Sequence, residues 1–263
     1  MPEGDTIFKV ARTLRAVLEG KTLLGVRSPL PQIDCARLVN HSVREVEARG
    51  KNLLIHLDDD RAFWTHLRMS GSWHVYRAGE KWLRPQRQMR LSLDVEGFCA
   101  VCFNAPVVEL LTPLQLRGEK RLQPGPDGSA ERFDAEEAER RLRALADLPL
   151  GEAIVRQAAL AGLGNVLKSE LLFILRLDPF APVSALTSAR LVQLVASARA
   201  LLLDNRHSST RVTRRSLDGP GTRWVYGRQG EACRRCGETV KMKRQGKLLR
   251  STYFCPRCQS GSD

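Results

Sequence analysis

The chain has 263 residues, and its 42 Lys+Arg outnumber 29 Asp+Glu to give a formal net charge of +13. Its 43% hydrophobic and 27% charged fractions exclude a fibrous or disordered chain, and no apolar run approaches the roughly 18 residues of a membrane span. The length fits one large domain or two to three small ones, and the charge excess asks for a polyanionic partner.

At the start, Met1-Pro2-Glu3-Gly4-Asp5 has neither the basic nor the apolar region of a secretory leader. A cytoplasmic protein is therefore expected. If Met1 is removed, Pro2 presents a secondary amine, and an α-amino group titrates near 7.7–8.0. Such an amine can attack a sugar C1′ and form an iminium, with Glu3 beside it as general acid. Read alone, the same residues fit a protein that merely begins this way. Ile7, Val10, Ala11, Leu14, Val17 and Leu18 then recur at helical spacing, with Asp5 or Thr6 as the cap and Gly20 as the stop.

From Lys21 to about Asn104 the pattern changes to short β-type runs: 53–57, 63–67, 91–95 and 98–103, separated by turns such as Asp58-Asp59-Asp60 and Glu96-Gly97. Many short strands suggest a sandwich or barrel. Cys99 and Cys102 alternate with Val101 and Phe103, which reads as packing. The Pro/Gly-rich stretch 123–129 marks a domain boundary.

Helical spacing follows over 134–147, 150–161, 166–177 and 187–204. Between the second and third of these, Ala161-Gly162-Leu163-Gly164-Asn165 offers glycines for a tight turn and a helix start whose free N–H groups suit a phosphate. An ordinary interhelical turn accounts for the same residues.

The C-terminal fifth carries the charge. Residues 206–257 hold 14 Lys+Arg against Asp218, Glu231 and Glu238, a net of +11, leaving +2 for the other 211 residues. Aromatic residues interleave with that charge (Trp224, Tyr226, Tyr253, Phe254), the footprint of a folded nucleic-acid-binding segment. Cys233-x-x-Cys236 and Cys255-x-x-Cys258, with 18 residues between the pairs, have the spacing of a closed four-cysteine zinc site that holds structure and performs no catalysis. The runs 239–243 and 251–254 supply two strands of a small hairpin whose folding energy comes largely from the metal.

Four collinear features now stand together: the Pro2-Glu3 opening, Arg49-Gly50-Lys51 leading a strand, the 161–165 turn, and the terminal cysteine pairs. With Trp224-Val225-Tyr226-Gly227-Arg228 ahead of the cysteines, the whole chain resembles the formamidopyrimidine-DNA glycosylase / endonuclease VIII family of base-excision repair enzymes. The resemblance implies an α+β, multidomain fold. Residues 1–122 would form a catalytic β-sandwich with an N-terminal helix, 130–218 a helical domain with a helix–two-turns–helix motif, and 224–261 a four-cysteine zinc finger. It implies Pro2 as Schiff-base nucleophile, Glu3 as acid, Lys51 as proton donor during β-elimination, and Asn165 as a phosphate ligand. Arg250 would clamp phosphate and aid δ-elimination. In His66-Leu67-Arg68-Met69-Ser70-Gly71, Met69 would be the wedge inserted where the damaged base flips out, with Arg68 beside it; read by itself, Met69 is equally a buried methionine. The partner would be double-stranded DNA with damaged bases or abasic sites, met by a monomer in a bacterial-type cytoplasm at the nucleoid.

The sequence departs from the family pattern in places. The Arg-Phe pair of the formamidopyrimidine branch is missing from Asn104-Ala105-Pro106-Val107-Val108-Glu109, Thr6 stands where Glu is usual, and Gln123 stands where some relatives place a DNA-contacting arginine, a role open to Arg121. The stretch 208–222 is short for the loop that caps an oxidised purine. These features favour the endonuclease VIII branch and oxidised pyrimidines. An oxidised-purine glycosylase and a catalytically silent, zinc-dependent DNA-damage binder are the alternatives.

Overall fold

The computed structural model describes residues 2–208, 210–215 and 221–260. The chain divides into two compact units, Met1–Gln123 and Pro124–Asp263. Among the described residues no helix is long and apolar enough to cross a membrane.

The first unit opens with α1 (Gly4–Leu18). Its apolar spacing buries Ile7, Ala11, Leu14 and Leu18 on one face, and Gly20, at φ +72°, takes the left-handed turn after it. The start differs from the sequence expectation. Glu3 is the N-cap, and Asp5 and Thr6 lie inside the first turn. The Asp5 carboxylate is satisfied locally, by the backbone N–H of Thr6 at 2.7 Å, so the helix begins before the side chain expected to cap it.

Eight strands follow: β1 (Gly25–Arg27), β2 (Val43–Arg49), β3 (Asn52–Leu57), β4 (Ala62–His66), β5 (Ser72–Arg77), β6 (Met89–Val95), β7 (Phe98–Phe103) and β8 (Val107–Leu111). They form two four-stranded antiparallel sheets, ordered β1-β6-β7-β5 and β2-β3-β4-β8. Leu53, Ile55, Leu57 and Phe63 of one sheet share a core with Leu91, Leu93, Ala100 and Cys102 of the other and with α1, which makes the unit a β-sandwich. The alternate residues of β3 and β4, Leu54 and Trp64, are buried too, because Leu116 of α2 (Pro113–Gly118) and Leu122 cover that outer face. This double burial makes the two strands read as continuous apolar runs. Cys99 and Cys102 pack in the sheet, and burial pushes the Cys102 thiol well above its ordinary range.

The second unit contains α3 (Ala135–Arg143), α4 (Leu150–Ala153), α5 (Asn165–Ile174), α6 (Ser188–Asp204) and the hairpin β9 (Lys241–Gln245) and β10 (Arg250–Phe254). The helix expected over 150–161 is only one turn long. Beyond it the backbone bonds turn aside to the preceding Pro/Gly stretch: Gly125 N–H donates to Gln157 O at 2.8 Å, and Ala161 N–H to Pro126 O at 2.9 Å. Gly125 is required there, since a Cβ would stand 2.3 Å from Ala158 O. The stretch expected to be a linker is thus partly strapped onto the unit that follows it.

Helix α5 carries the hairpin. Phe173 packs with Val225, Val240, Cys233 and Cys255. Glu170, buried in the same helix, accepts the backbone N–H groups of Trp224 (2.7 Å), Val225 (2.9 Å) and Tyr226 (2.7 Å). Together with the Thr213 hydroxyl, which also donates to it, these N–H groups meet the hydrogen-bonding demand of a buried carboxyl group.

Candidate active site and zinc centre

In the first unit, Pro2 is half-buried at the head of α1 and Glu3 beside it is fully buried. The Glu3 backbone is extended, and its carbonyl accepts from Thr6 N (2.9 Å) and Ile7 N (3.1 Å) while its carboxylate does no capping. The carboxylate sits where the helix dipole favours negative charge. The Thr6 hydroxyl, in place of the family's second acid, turns back to Asp5 Oδ1 at 3.2 Å.

Lys51 follows Gly50, which takes the positive φ (+60°) of the β2–β3 turn. The β3–β4 register, Leu53 opposite Thr65, brings that turn to the end of the sheet where β4 stops at His66. His66 was not singled out in the sequence. Burial first, then the positive charges of Arg68 and Lys51, hold its imidazole below its ordinary range. Its Nδ1 accepts the Arg68 N–H at 3.1 Å, which puts the ring proton on Nε2. Its only sequence signal is its place two residues before Arg68.

Met69 is 72% exposed; it is not a core methionine. Its loop is held closed from both sides. The Ser70 hydroxyl donates to Asn104 O at 3.1 Å, and a Cβ on Gly71 would lie 2.6 Å from Leu67 O and 3.0 Å from Ala105 Cα. Arg68 and Asn104 both adopt left-handed φ, +45° and +51°, a conformation costing about 1–3 kcal/mol in a non-glycine residue. Gln123 is exposed and donates to Arg117 O at 2.6 Å. Arg121 is already engaged, 2.6 Å from Glu119 and over the Trp64 ring.

In the second unit, Asn165 is the first residue of α5, after Gly164 as N-cap. Gly162, at φ +98°, makes the turn, and the Gln157 side chain staples it by accepting from Gly162 N (3.1 Å) and donating to Leu163 O (3.0 Å). The Asn165 Oδ1 atom is buried with no hydrogen-bond partner among the described residues. Arg250 opens β10 and lines a cavity of about 430 Å³ with Arg156, Lys168 and Lys247, against one acid, Glu152. Such a lining suits an anion.

The four cysteine sulfurs lie within 4.8 Å of one another, with Cys233–Cys258 at 3.9 Å and Cys236–Cys255 at 3.5 Å. Four thiolates about 2.3 Å from a tetrahedral zinc stand roughly 3.8 Å apart, so the set fits that ion. Backbone N–H groups of Arg235 and Cys258 point at Cys233 Sγ (3.4 Å) and Cys255 Sγ (3.5 Å), the outer support such a site requires. Cys233, Cys236, Cys255 and Cys258 hold one structural zinc.

Residues 1–106 match the formamidopyrimidine-DNA glycosylase N-terminal domain, and 230–261 match the zinc finger found in FPG and IleRS. A probable endonuclease 8 2 of Streptomyces coelicolor is 39% identical over 99% of this chain and 95% of its own length. The chain belongs to the formamidopyrimidine-DNA glycosylase / endonuclease VIII family. Another relative, the DNA-(apurinic or apyrimidinic site) lyase Nei2 of Mycolicibacterium smegmatis, is 37% identical over the full length of both chains. Among solved structures, Lactococcus lactis Fpg in complex with DNA containing an abasic site matches with a TM-score of 0.81 at 23% identity, covering 98% of this chain and 99% of that one; that likeness shows the fold. As a member of the family the chain is a DNA glycosylase/AP lyase of base-excision repair.

Proposed function

We propose that this glycosylase/lyase acts through the Pro2 amine on oxidised pyrimidines in double-stranded DNA and cuts the strand by β,δ-elimination. The observation that carries this reading is the pairing, at the head of α1, of half-buried Pro2 with the fully buried carboxylate of Glu3. Once Met1 is removed, the Pro2 nitrogen lone pair bonds to C1′ as the glycosidic bond breaks; the base leaves with the electron pair and takes up a proton, balanced by the one the Pro2 nitrogen gives up. Glu3 protonates the ring oxygen O4′, opening the sugar and leaving an iminium at C1′. Loss of a C2′ proton expels the 3′ phosphate, with Lys51 as proton donor to this elimination. A second elimination expels the 5′ phosphate, with Arg250 and Asn165 holding phosphate charge. Water then hydrolyses the remaining adduct and frees Pro2. Zinc holds the hairpin that bears Arg250.

Arg68 and Met69 fill the gap left by the flipped nucleotide, and Gln123 is a further DNA contact. The exposure of Met69 supports this reading. The pyrimidine preference rests on the stretch after Asn104, which offers no Arg-Phe pair to read the opposite base. Within this reading the protein works as a monomer in the cytoplasm on nucleoid DNA, with 1–122 as catalytic part, 130–218 as helical DNA-binding part and 224–261 as finger.

Borohydride trapping on a duplex with one abasic site is the test, with Met1 removal checked by mass. A covalent adduct is expected, and Pro2→Gly should abolish it while DNA binding persists. Tight binding without adduct, on protein lacking Met1, would leave the silent damage binder. Excision of oxidised purines in preference to pyrimidines across a lesion panel would overturn the branch assignment.

A further inference from the structure

Helix α5 contains three consecutive polar residues, Lys168, Ser169 and Glu170, all with 0% exposure. A buried ammonium is costly unless its donors are met. Lys168 Nζ donates to Thr252 Oγ1 at 2.7 Å and to Ser251 O at 3.1 Å. The Thr252 hydroxyl donates onward to Gln245 Oε1 at 2.8 Å, and Gln245 Nε2 donates to Pro179 O at 2.8 Å. Residue by residue this chain runs from the first turns of α5 into both strands of the hairpin. Gln245 is the register partner of Arg250. Ser169 forms a second link: its hydroxyl accepts the Tyr253 N–H at 3.2 Å and donates to Asn165 O at 3.1 Å.

The Ser169 link therefore ties Asn165 itself, and the Lys168 link ties the next turn of the same helix, to the strand that begins with Arg250. Zinc alone does not do this, because its four ligands belong to the hairpin segment and fix that segment internally. We propose that Lys168, seconded by Ser169, is a positioning residue that sets Arg250 relative to Asn165 so that both meet one stretch of DNA backbone. The proposal rests on the reading of Asn165 and Arg250 as phosphate ligands. A fixed spacing matters because a misplacement of about 1 Å can cost roughly a hundredfold in rate, and an unpinned two-stranded hairpin has little rigidity of its own.

The test uses the full-length, zinc-loaded protein and its Lys168→Met, Lys168→Arg, Arg250→Ala and Lys168→Met/Arg250→Ala variants. Single-turnover cleavage of an abasic-site duplex is followed with β and δ products resolved. Lys168→Met should keep one zinc per chain yet lose roughly tenfold or more in δ product, the scale of one charge-assisted hydrogen bond. Lys168→Arg should restore most of it, and the double variant should cleave no worse than Arg250→Ala alone. Wild-type cleavage by Lys168→Met, or an equal further loss in the Arg250→Ala background, would overturn the proposal. Should Lys168→Met shed its zinc, Ser169→Ala takes its place under the same criteria. If Arg250→Ala itself cleaves like wild type, the reading of Arg250 has failed. The latch is then judged by amide hydrogen exchange at Ser251–Tyr253: selective acceleration in Lys168→Met retains it and unchanged exchange overturns it.

Discussion

Charged side chains in this protein do their work in small, specific settings. Glu47 on β2 accepts two bonds from Arg49, each 2.7 Å, and lies 3.1 Å from His56 Nε2. Burial alone would raise its pKa, but the hydrogen bonds from His56 and Arg49 outweigh it and hold the carboxyl at about 2. A carboxyl depressed in the folded state adds stability that is complete above its unfolded value near 4.5 and is lost as pH falls through that value toward 2. The thermal midpoint should therefore fall more steeply between pH 5 and 3 in the wild type than in Glu47→Gln. Parallel melting curves across that range would remove Glu47 from the account. None of this was legible in the sequence, where Glu47, Arg49 and His56 are three ordinary polar residues; only the β2–β3 register, Glu47 opposite Leu54 and Glu45 opposite His56, brings them together.

At the scale of elements, the hairpin β9–β10 depends on its metal. Its strands have five residues each and bury few side chains, whereas a structural zinc supplies on the order of 10 kcal/mol of apparent binding free energy. Cys255→Ser is expected to release zinc and to lower the unfolding temperature of the second unit. Arg250→Ala should keep a full equivalent of zinc and weaken strand cleavage without abolishing it, because the guanidinium clamps phosphate and is not a ligand. Metal analysis beside an activity assay checks both, and equal zinc loss in the two variants would discredit the role given to Arg250. The cysteine spacing announced this element because metal coordination leaves a fixed local pattern. The helix expected over 150–161 shows the opposite case. Its spacing is helical, but Gln157 O and Ala161 N–H are taken by the backbone of residues 125–126, and a partner so distant in sequence leaves no mark on local periodicity.

For the whole molecule, the decisive sequence quantity is the distribution of charge, +11 of the net +13 within residues 206–257. Phosphate contacts made by such a segment release counterions, so the logarithm of affinity falls with the logarithm of salt concentration by about 0.9 per contact. Arg250→Ala should flatten that slope by about one contact in anisotropy titrations between roughly 50 and 200 mM salt, while Pro2→Gly leaves it unchanged. An unchanged slope in Arg250→Ala would mean that Arg250 meets no phosphate in the ground-state complex.

The candidate chemistry and most of the architecture are legible in the amino-acid string as local pattern. The chain displays Pro2 beside Glu3, a four-sulfur site, a basic C-terminal fifth, an amphipathic first helix and the two glycine-flanked turns that lead to Lys51 and Asn165. Each of these is a local pattern of residue type, and local patterns survive in a one-dimensional string. Tertiary structure decided which polar residues are buried and what they hold. Glu3 became a fully buried carboxylate, Met69 an exposed side chain in a loop tied to Asn104 through Ser70, and Lys168-Ser169-Glu170 a set of internal ties to segments 43 to 84 residues away. Burial and satisfaction of a polar group are properties of its neighbours in space, and those neighbours are chosen only when the chain closes on itself.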